Sequence, residues 1–287
     1  MNYRFLRFPG GKTKAVTFSY DDGVRHDIRL AATLSRFGMK GTFNVNSGRF
    51  GADSTAWNLT AEEIEENIVA LGHELAVHGK FHLAPGQTRS VEVVQDILHC
   101  RLDLENRYGR IIRGMAYPDT GISHLNPGHC YEDIRRILQD LDITYARTLG
   151  GDNKSFALPS DWYAWMPTIH HENPNALQWA REFVSMDVGS FNRARRYSRL
   201  FYVWGHSYEF EANNNWERLE ELCQTLGGKE DIWYATNGEI YAYVHAFDSL
   251  VFSADGRRVY NPTLVTVWFW DEKQMRVIQP GQTLVIE

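Results

Sequence analysis

The chain has 287 residues, 43% hydrophobic and 23% charged, which suits one large single-core domain or two small ones and excludes disorder, collagen and coiled coil. Thirty Lys and Arg against 36 Asp and Glu give a formal charge of −6, and no basic stripe runs along the chain, so no nucleic-acid partner is expected. No run of about 18 apolar residues occurs, so no membrane partner is expected either. The segment from Met1 to Phe8 lacks the apolar core and cleavage site of a signal peptide, and three scattered cysteines, Cys100, Cys130 and Cys223, suit a reducing compartment; the expectation is a cytoplasmic protein.

In chain order, Ala15 to Tyr20 reads as a buried strand stopped by Asp21-Asp22-Gly23, and helical spacing follows over 26–36. A second strand fits Gly41 to Asn46. Thr60 with Glu63 three residues on has capping-box spacing and opens a helix that should end near Leu71-Gly72. Then come a strand over Glu74 to Val77, a helix from Ser90 to Arg107, a strand from Ile112 to Tyr117, a helix from Tyr131 to Leu141 and a strand from Ile143 to Ala146. Further on are strand-like Trp162 to Trp165, a helix over Ala176 to Asp187, the apolar run Leu200 to Trp204, a helix over Trp216 to Leu226 and a strand over Ile232 to Ala235. Strands alternating with helices predict a parallel α/β sheet. About seven to eight such units over this length fit a distorted β/α barrel. Beyond Phe247, short alternating segments separated by Asp255-Gly256, Asp271-Glu272 and Pro280-Gly281 read as antiparallel strands. The expected organisation is a barrel over 1–246 with a C-terminal β appendage over 247–287 packed on it.

Three segments carry chemistry. Asp21-Asp22 lies where the first strand ends, on the rim where barrel enzymes keep their active sites, and adjacent acids there can divide into a metal ligand and a free base. By itself the pair is equally an ordinary Asp-Gly turn. His78 and His82 follow another strand, four residues apart, and would reach one ion if that segment were a helical turn. With Asp22 they would give three protein ligands and an open position for water, a set that accepts zinc, cobalt or nickel. His206 ends the strand Leu200 to Trp204 and is a candidate general acid. His170-His171 reads as a hydrogen-bonding pair.

With these residues in place, the chain resembles the polysaccharide deacetylases, the NodB-homology domain of carbohydrate esterase family four, over residues 14–240. The family's TF(D/S)DDG is similar to Thr17-Phe18-Ser19-Tyr20-Asp21-Asp22-Gly23, which is one residue longer, and its H(S/T)xxH to His78-Gly79-Lys80-Phe81-His82. The resemblance implies Asp21 as base, Asp22, His78 and His82 as ligands, and Gly79 in place of a hydroxyl that would steady the loop. The RxPYG segment is matched loosely by Arg113 to Gly121, with Ala116 where the arginine belongs, and Arg147 is the replacement candidate for holding the base. A backbone N–H near Asp119 would serve the oxyanion. Asp161 would tune the imidazole, Trp162, Trp165 and Tyr117 would wall the site, and His206 would be the acid.

The implied activity is metal-dependent removal of an N-acetyl, less often O-acetyl, group from a saccharide, with one divalent ion, zinc before cobalt or nickel. A cytoplasmic enzyme of this kind would take a soluble N-acetylated oligosaccharide or small saccharide. The alternatives are a same-fold hydrolase of another amide or cyclic-amide C–N bond, and a carbohydrate-binding pseudoenzyme.

Overall fold

The computed structural model describes residues 3–51, 57–149, 153–188 and 196–286. Its strands are β1 (Phe5–Arg7), β2 (Lys14–Asp21), β3 (Gly41–Val45), β4 (Glu74–Val77), β5 (Gly114–Ala116), β6 (Tyr145–Arg147), β7 (Ile169–His170), β8 (Arg199–Gly205), β9 (Ile232–Tyr234), β10 (Val251–Phe252), β11 (Arg258–Tyr260), β12 (Val267–Trp270), β13 (Met275–Ile278) and β14 (Thr283–Val285). The helices are α1 (His26–Arg36), α2 (Ala61–Ile64), α3 (Ser90–Tyr108), α4 (Tyr131–Asp140), α5 (Ala176–Ser185), α6 (Ser207–Ala212), α7 (Trp216–Leu226) and α8 (Asn237–Asp248). Thr60 caps α2 in the expected capping box, and the helix continues as a π turn over Glu65–Val69.

Strands β6-β5-β4-β3-β2-β8-β7 form one curled parallel sheet, with β9 also pairing with β2. This is the expected distorted barrel. A lone parallel bridge from Arg147 to Trp165 carries pairing from β6 into the segment leading to β7. Alternation along the strands sorts side chains between two cores, because successive residues point to opposite faces. In β2, Val16, Phe18 and Tyr20 join the cluster under the helices, while Ala15 joins Tyr145, Trp165 and Tyr202 in a separate cluster. By the same period Asp21 shares the face of Ala15, and in β6 Arg147 shares the face of Tyr145.

Register then places the rim. Asp21 pairs with Asn44, Tyr20 with Gly205, Val77 with Met115 and Ala116 with Arg147. The residues that leave β2, β4 and β8 at their C-terminal ends, Asp22, His78 and His206, therefore emerge on the same rim.

The tail is antiparallel, as expected, but β1 joins it: β1 pairs with β12, which pairs with β13, while β11 lies between β10 and β14. A division after residue 246 cuts through α8, whose Tyr243 hydroxyl donates to the Arg7 carbonyl (2.7 Å) and accepts from the Trp268 N–H (3.0 Å). The predicted strand over Trp162 to Trp165 is instead a 3₁₀ turn, Trp162–Ala164, because Asp161 caps it by accepting the Tyr163 N–H (2.9 Å). No described helix is long and apolar enough to cross a membrane.

Candidate active site

Asp21 and Arg147 are both almost fully buried, and the guanidinium donates from Nη2 to Asp21 Oδ2. The replacement arginine thus reaches the carboxylate. The ring of Trp204 lies 4.6 Å from the guanidinium carbon, so the buried cation has an aromatic face as well as an anion. Asn44 Nδ2 donates to Asp21 Oδ1 (2.7 Å) and to Ser19 Oγ (2.8 Å), a contact that strand register alone supplies. Burial works against the Asp21 anion, but Arg147, His78, His206 and the Asn44 hydrogen bond outweigh it and hold the carboxyl below its ordinary value.

Asp22, His78 and His82 come together as expected. Asp22 Oδ1 lies 3.9 Å from His78 Nε2 and 3.5 Å from His82 Nε2. That oxygen is buried and has no hydrogen-bond partner, although Arg49 Nη1 approaches it at 3.5 Å. His78 donates from Nδ1 to the Ala116 carbonyl (3.0 Å), which leaves Nε2 with its lone pair toward Asp22. An orphaned carboxylate oxygen facing two imidazole nitrogens is a donor set suited to a divalent cation. Burial lowers the pKa of both histidines, which keeps them neutral and able to ligate.

The segment between the histidines is not the helical turn that the spacing suggested. Gly79 has φ 72° and His82 φ 61°, and a Cβ on Gly79 would run into the Asp96 carboxylate. That carboxylate accepts the Phe81 N–H (2.6 Å) and the Leu83 N–H (3.4 Å), and Asn46 Nδ2 donates to the Gly79 carbonyl (3.0 Å). Asp96 and Asn46 therefore do the steadying that a hydroxyl at position 79 would have done. Asp22 and Asp119 also have positive φ, 82° and 51°, so three non-glycine residues on this rim sit in a costly backbone region. Asp119 is near enough for its charge to act on His82.

His206 Nε2 lies 4.0 Å from Asp21 Oδ2. Asp161 is not beside it: its Oδ2 accepts the Tyr131 hydroxyl (2.6 Å) and lies 3.6 Å from Arg135 Nη1. Glu209, one turn along α6, faces the imidazole instead, with Oε1 3.2 Å from His206 Nδ1. Burial disfavours the imidazolium, but the hydrogen bond to Glu209 and the Asp21 charge prevail and raise the His206 pKa above 6.5.

The expected walls are also displaced. Trp165 and Tyr117 are buried, the first packed on Tyr202 (ring centroids 5.0 Å) and the second donating its hydroxyl to the Tyr163 carbonyl (2.8 Å). Trp162 is half-buried and meets Trp165 and Tyr241 edge-on. Among the described residues, rings exposed near the rim include Phe81, 63% exposed and lying between His78 and His82 in the chain, and Trp57, 46% exposed beside Tyr208, whose ring lies 5.1 Å from His206. Sequence reading missed Asn44, Glu209, Trp204 and Arg49. Only Glu209 left a local signal, three residues after His206 at capping-box spacing.

Residues 9–146 match the model of the polysaccharide deacetylase family. No curated protein matches the chain. Among solved structures, a Mycobacterium smegmatis protein named for the same family superposes with TM-score 0.56 at 18% identity, covering 86% of this chain and 96% of its own. PuuE allantoinase superposes with TM-score 0.58 at 11% identity, covering 83% and 92%. At these identities the likeness shows the shared fold. The chain spans about half the length (55%) of Streptococcus pyogenes deacetylase PplD, solved with acetate, using 47% of its own residues at 19% identity and TM-score 0.41.

Proposed function

We propose that the protein is a metal-dependent hydrolase that removes N-acetyl groups from a saccharide, with Asp21 as base and His206 as acid. The observation that carries this reading is the buried Asp22 Oδ1, without a hydrogen-bond partner, facing His78 Nε2 and His82 Nε2 beside the Arg147-bound Asp21. A divalent ion bound by these three residues, zinc before cobalt or nickel, would supply acidity to a water and polarise an acetyl carbonyl.

The chain's own groups divide the proton work. Asp21, held as an anion by Arg147 and Asn44, accepts the water's proton at a carboxylate oxygen. His206, with its pKa raised above 6.5, carries a proton at Nε2 toward the departing amine, which an amide nitrogen needs before it can leave. A backbone N–H near Asp119 stabilises the oxyanion. Phe81 and Trp57 offer apolar faces on which a sugar ring stacks.

The test is a metal determination on purified protein followed by an acetate-release assay on N-acetylated oligosaccharides with the metal that binds. About one ion per chain with released acetate is the expected result. Ring opening of a cyclic amide without acetate release would move the reaction to another C–N bond. Metal binding with neither activity would favour a saccharide-binding protein.

A further inference from the structure

A second cluster of titratable groups lies on the other side of Asp21: His170, His171, His206 and Glu209. Glu209 is the common partner. Its Oε1 lies 3.2 Å from His206 Nδ1, its Oε2 accepts the His206 backbone N–H (3.2 Å), and the same Oε2 lies 3.3 Å from His170 Nε2 and 3.2 Å from His171 Nε2. One carboxylate thus grips both the main chain and the ring of a single histidine. A two-point grip removes the ring's freedom to turn about its Cα–Cβ bond, and it leaves Nε2 as the free end toward Asp21.

The backing of this grip is built from packing. His171 is fully buried and stacked on Phe210 (ring centroids 4.0 Å) and Tyr20 (5.6 Å), and His170 is stacked on His171 (4.7 Å). Gly205 admits no side chain, because a Cβ there would overlap the His171 ring. The strand end that delivers His206 is therefore pressed against the histidine pair that closes the far side of Glu209.

We propose that Glu209 is the positioning residue of the acid His206, fixing its Nδ1–H tautomer and its direction toward Asp21, in the place where Asp161 was expected. This deepens, and rests on, the assignment of His206 as acid. The Glu209 carboxylate contacts His170, His171 and His206 and none of the expected ligands, so its effect on the acid passes through the imidazole. The groups facing His206 are Asp21 and Asp22 from β2 and the turn after it, Glu209 and Tyr208 from α6, and the rings of the His170-His171 pair at the end of β7. The anions favour the imidazolium, and burial opposes it.

The experiment is imidazole ¹⁵N NMR of the metal-loaded protein across pH, on the wild type, Glu209→Gln and Glu209→Asp, with acetate-release kinetics in parallel. In the wild type the neutral His206 ring is expected as the Nδ1–H tautomer, an observation that needs no variant; an Nε2–H tautomer would overturn the proposal. In Glu209→Gln the His206 midpoint is expected to fall, because a neutral acceptor remains while the stabilising charge is gone. The kinetic expectation is a kcat loss of about tenfold or more with KM unchanged, smaller than loss of the acid itself at ~10²–10⁴-fold, and a high-pH limb moved to lower pH. Glu209→Asp, which keeps the charge on a shorter arm, is expected to hold the midpoint above that of Glu209→Gln. An unmoved midpoint in both variants overturns the proposal. Because the NMR readouts need no substrate, a protein that releases no acetate from any sugar would sink the proposed function and leave the Glu209 assignment to be decided by the tautomer and the midpoint.

Discussion

The rim holds two clusters of carboxylate and imidazole, one on each side of Asp21, Asp22 with two histidines and Glu209 with three, and they are in opposite states. In the first, Asp22 Oδ1 faces His78 and His82 at 3.9 and 3.5 Å and has no hydrogen-bond partner. In the second, Glu209 lies within 3.3 Å of His170, His171 and His206. His78 turns its Nδ1 outward to a backbone carbonyl, whereas His206 turns its Nδ1 inward to the carboxylate. The difference teaches that composition alone does not separate a metal site from a proton site. What separates them is whether the carboxylate's lone pairs are already used.

The comparison breaks most sharply under metal analysis. His78→Ala is expected to abolish bound metal and activity together, while His170→Ala retains the metal. Two ions per chain in the wild type would erase the distinction between the clusters. Next in size, Asp21→Asn is expected to keep its metal and lose about 10²–10⁴-fold in rate, read by acetate release alongside metal content. Full activity in that variant would remove the base assignment.

Arg147→Met sharpens the same point through stability. It leaves the buried Asp21 anion without its cation, and breaking a buried pair in this way costs about 3–5 kcal/mol, measured by denaturant unfolding. An unchanged midpoint would mean that Asn44 alone suffices.

A smaller effect concerns Asp27, behind the rim, where burial pushes the carboxyl up to about 8 from its ordinary 3.8, against the hydrogen bonds it accepts from Ser207 Oγ (2.6 Å) and the Val24 N–H (3.1 Å). Between those two values the unfolded chain has released the proton and the folded chain keeps it. Stability therefore falls as pH rises through that window and its contribution is gone above about 8. Asp27→Asn is expected to flatten that slope in thermal unfolding measured from pH 4 to 8. Smallest of all, Asp161→Asn is expected to leave the His206 midpoint where it is, since Asp161 is bound to Tyr131 and the Tyr163 N–H; a moved midpoint would restore it to the site.

Much of this was legible in the chain because hydrophobic period and capping chemistry are local. The residues from 26 to 36, the Thr60 capping box, the strand Glu74 to Val77 and the helix Trp216 to Leu226 appear where the pattern put them. Asp21, Asp22, His78, His82 and His206 stand at strand ends, and in a parallel barrel all C-terminal strand ends face one rim. Their gathering followed from chain order alone.

What failed depended in one place on a local cap and elsewhere on partners distant in sequence. Trp162 to Trp165 is apolar enough for a strand, yet Asp161 caps it as a 3₁₀ turn, with Trp165 buried in the inner cluster and Trp162 packed half-buried against it. β1 could not be recognised without β12, about 260 residues away, because a three-residue strand has no period of its own. The Ala116–Arg147 register turns Arg147 inward toward Asp21, and Asn44 reaches Asp21 only through the pairing of β3 with β2. The sequence by itself determined the barrel, the rim and which residues stand on it, since these rest on local spacing and strand order. Only the tertiary structure decided that Glu209 rather than Asp161 faces His206 and that Asn44 and Arg147 both reach Asp21, because strand register and the direction of each side chain are set by packing between segments.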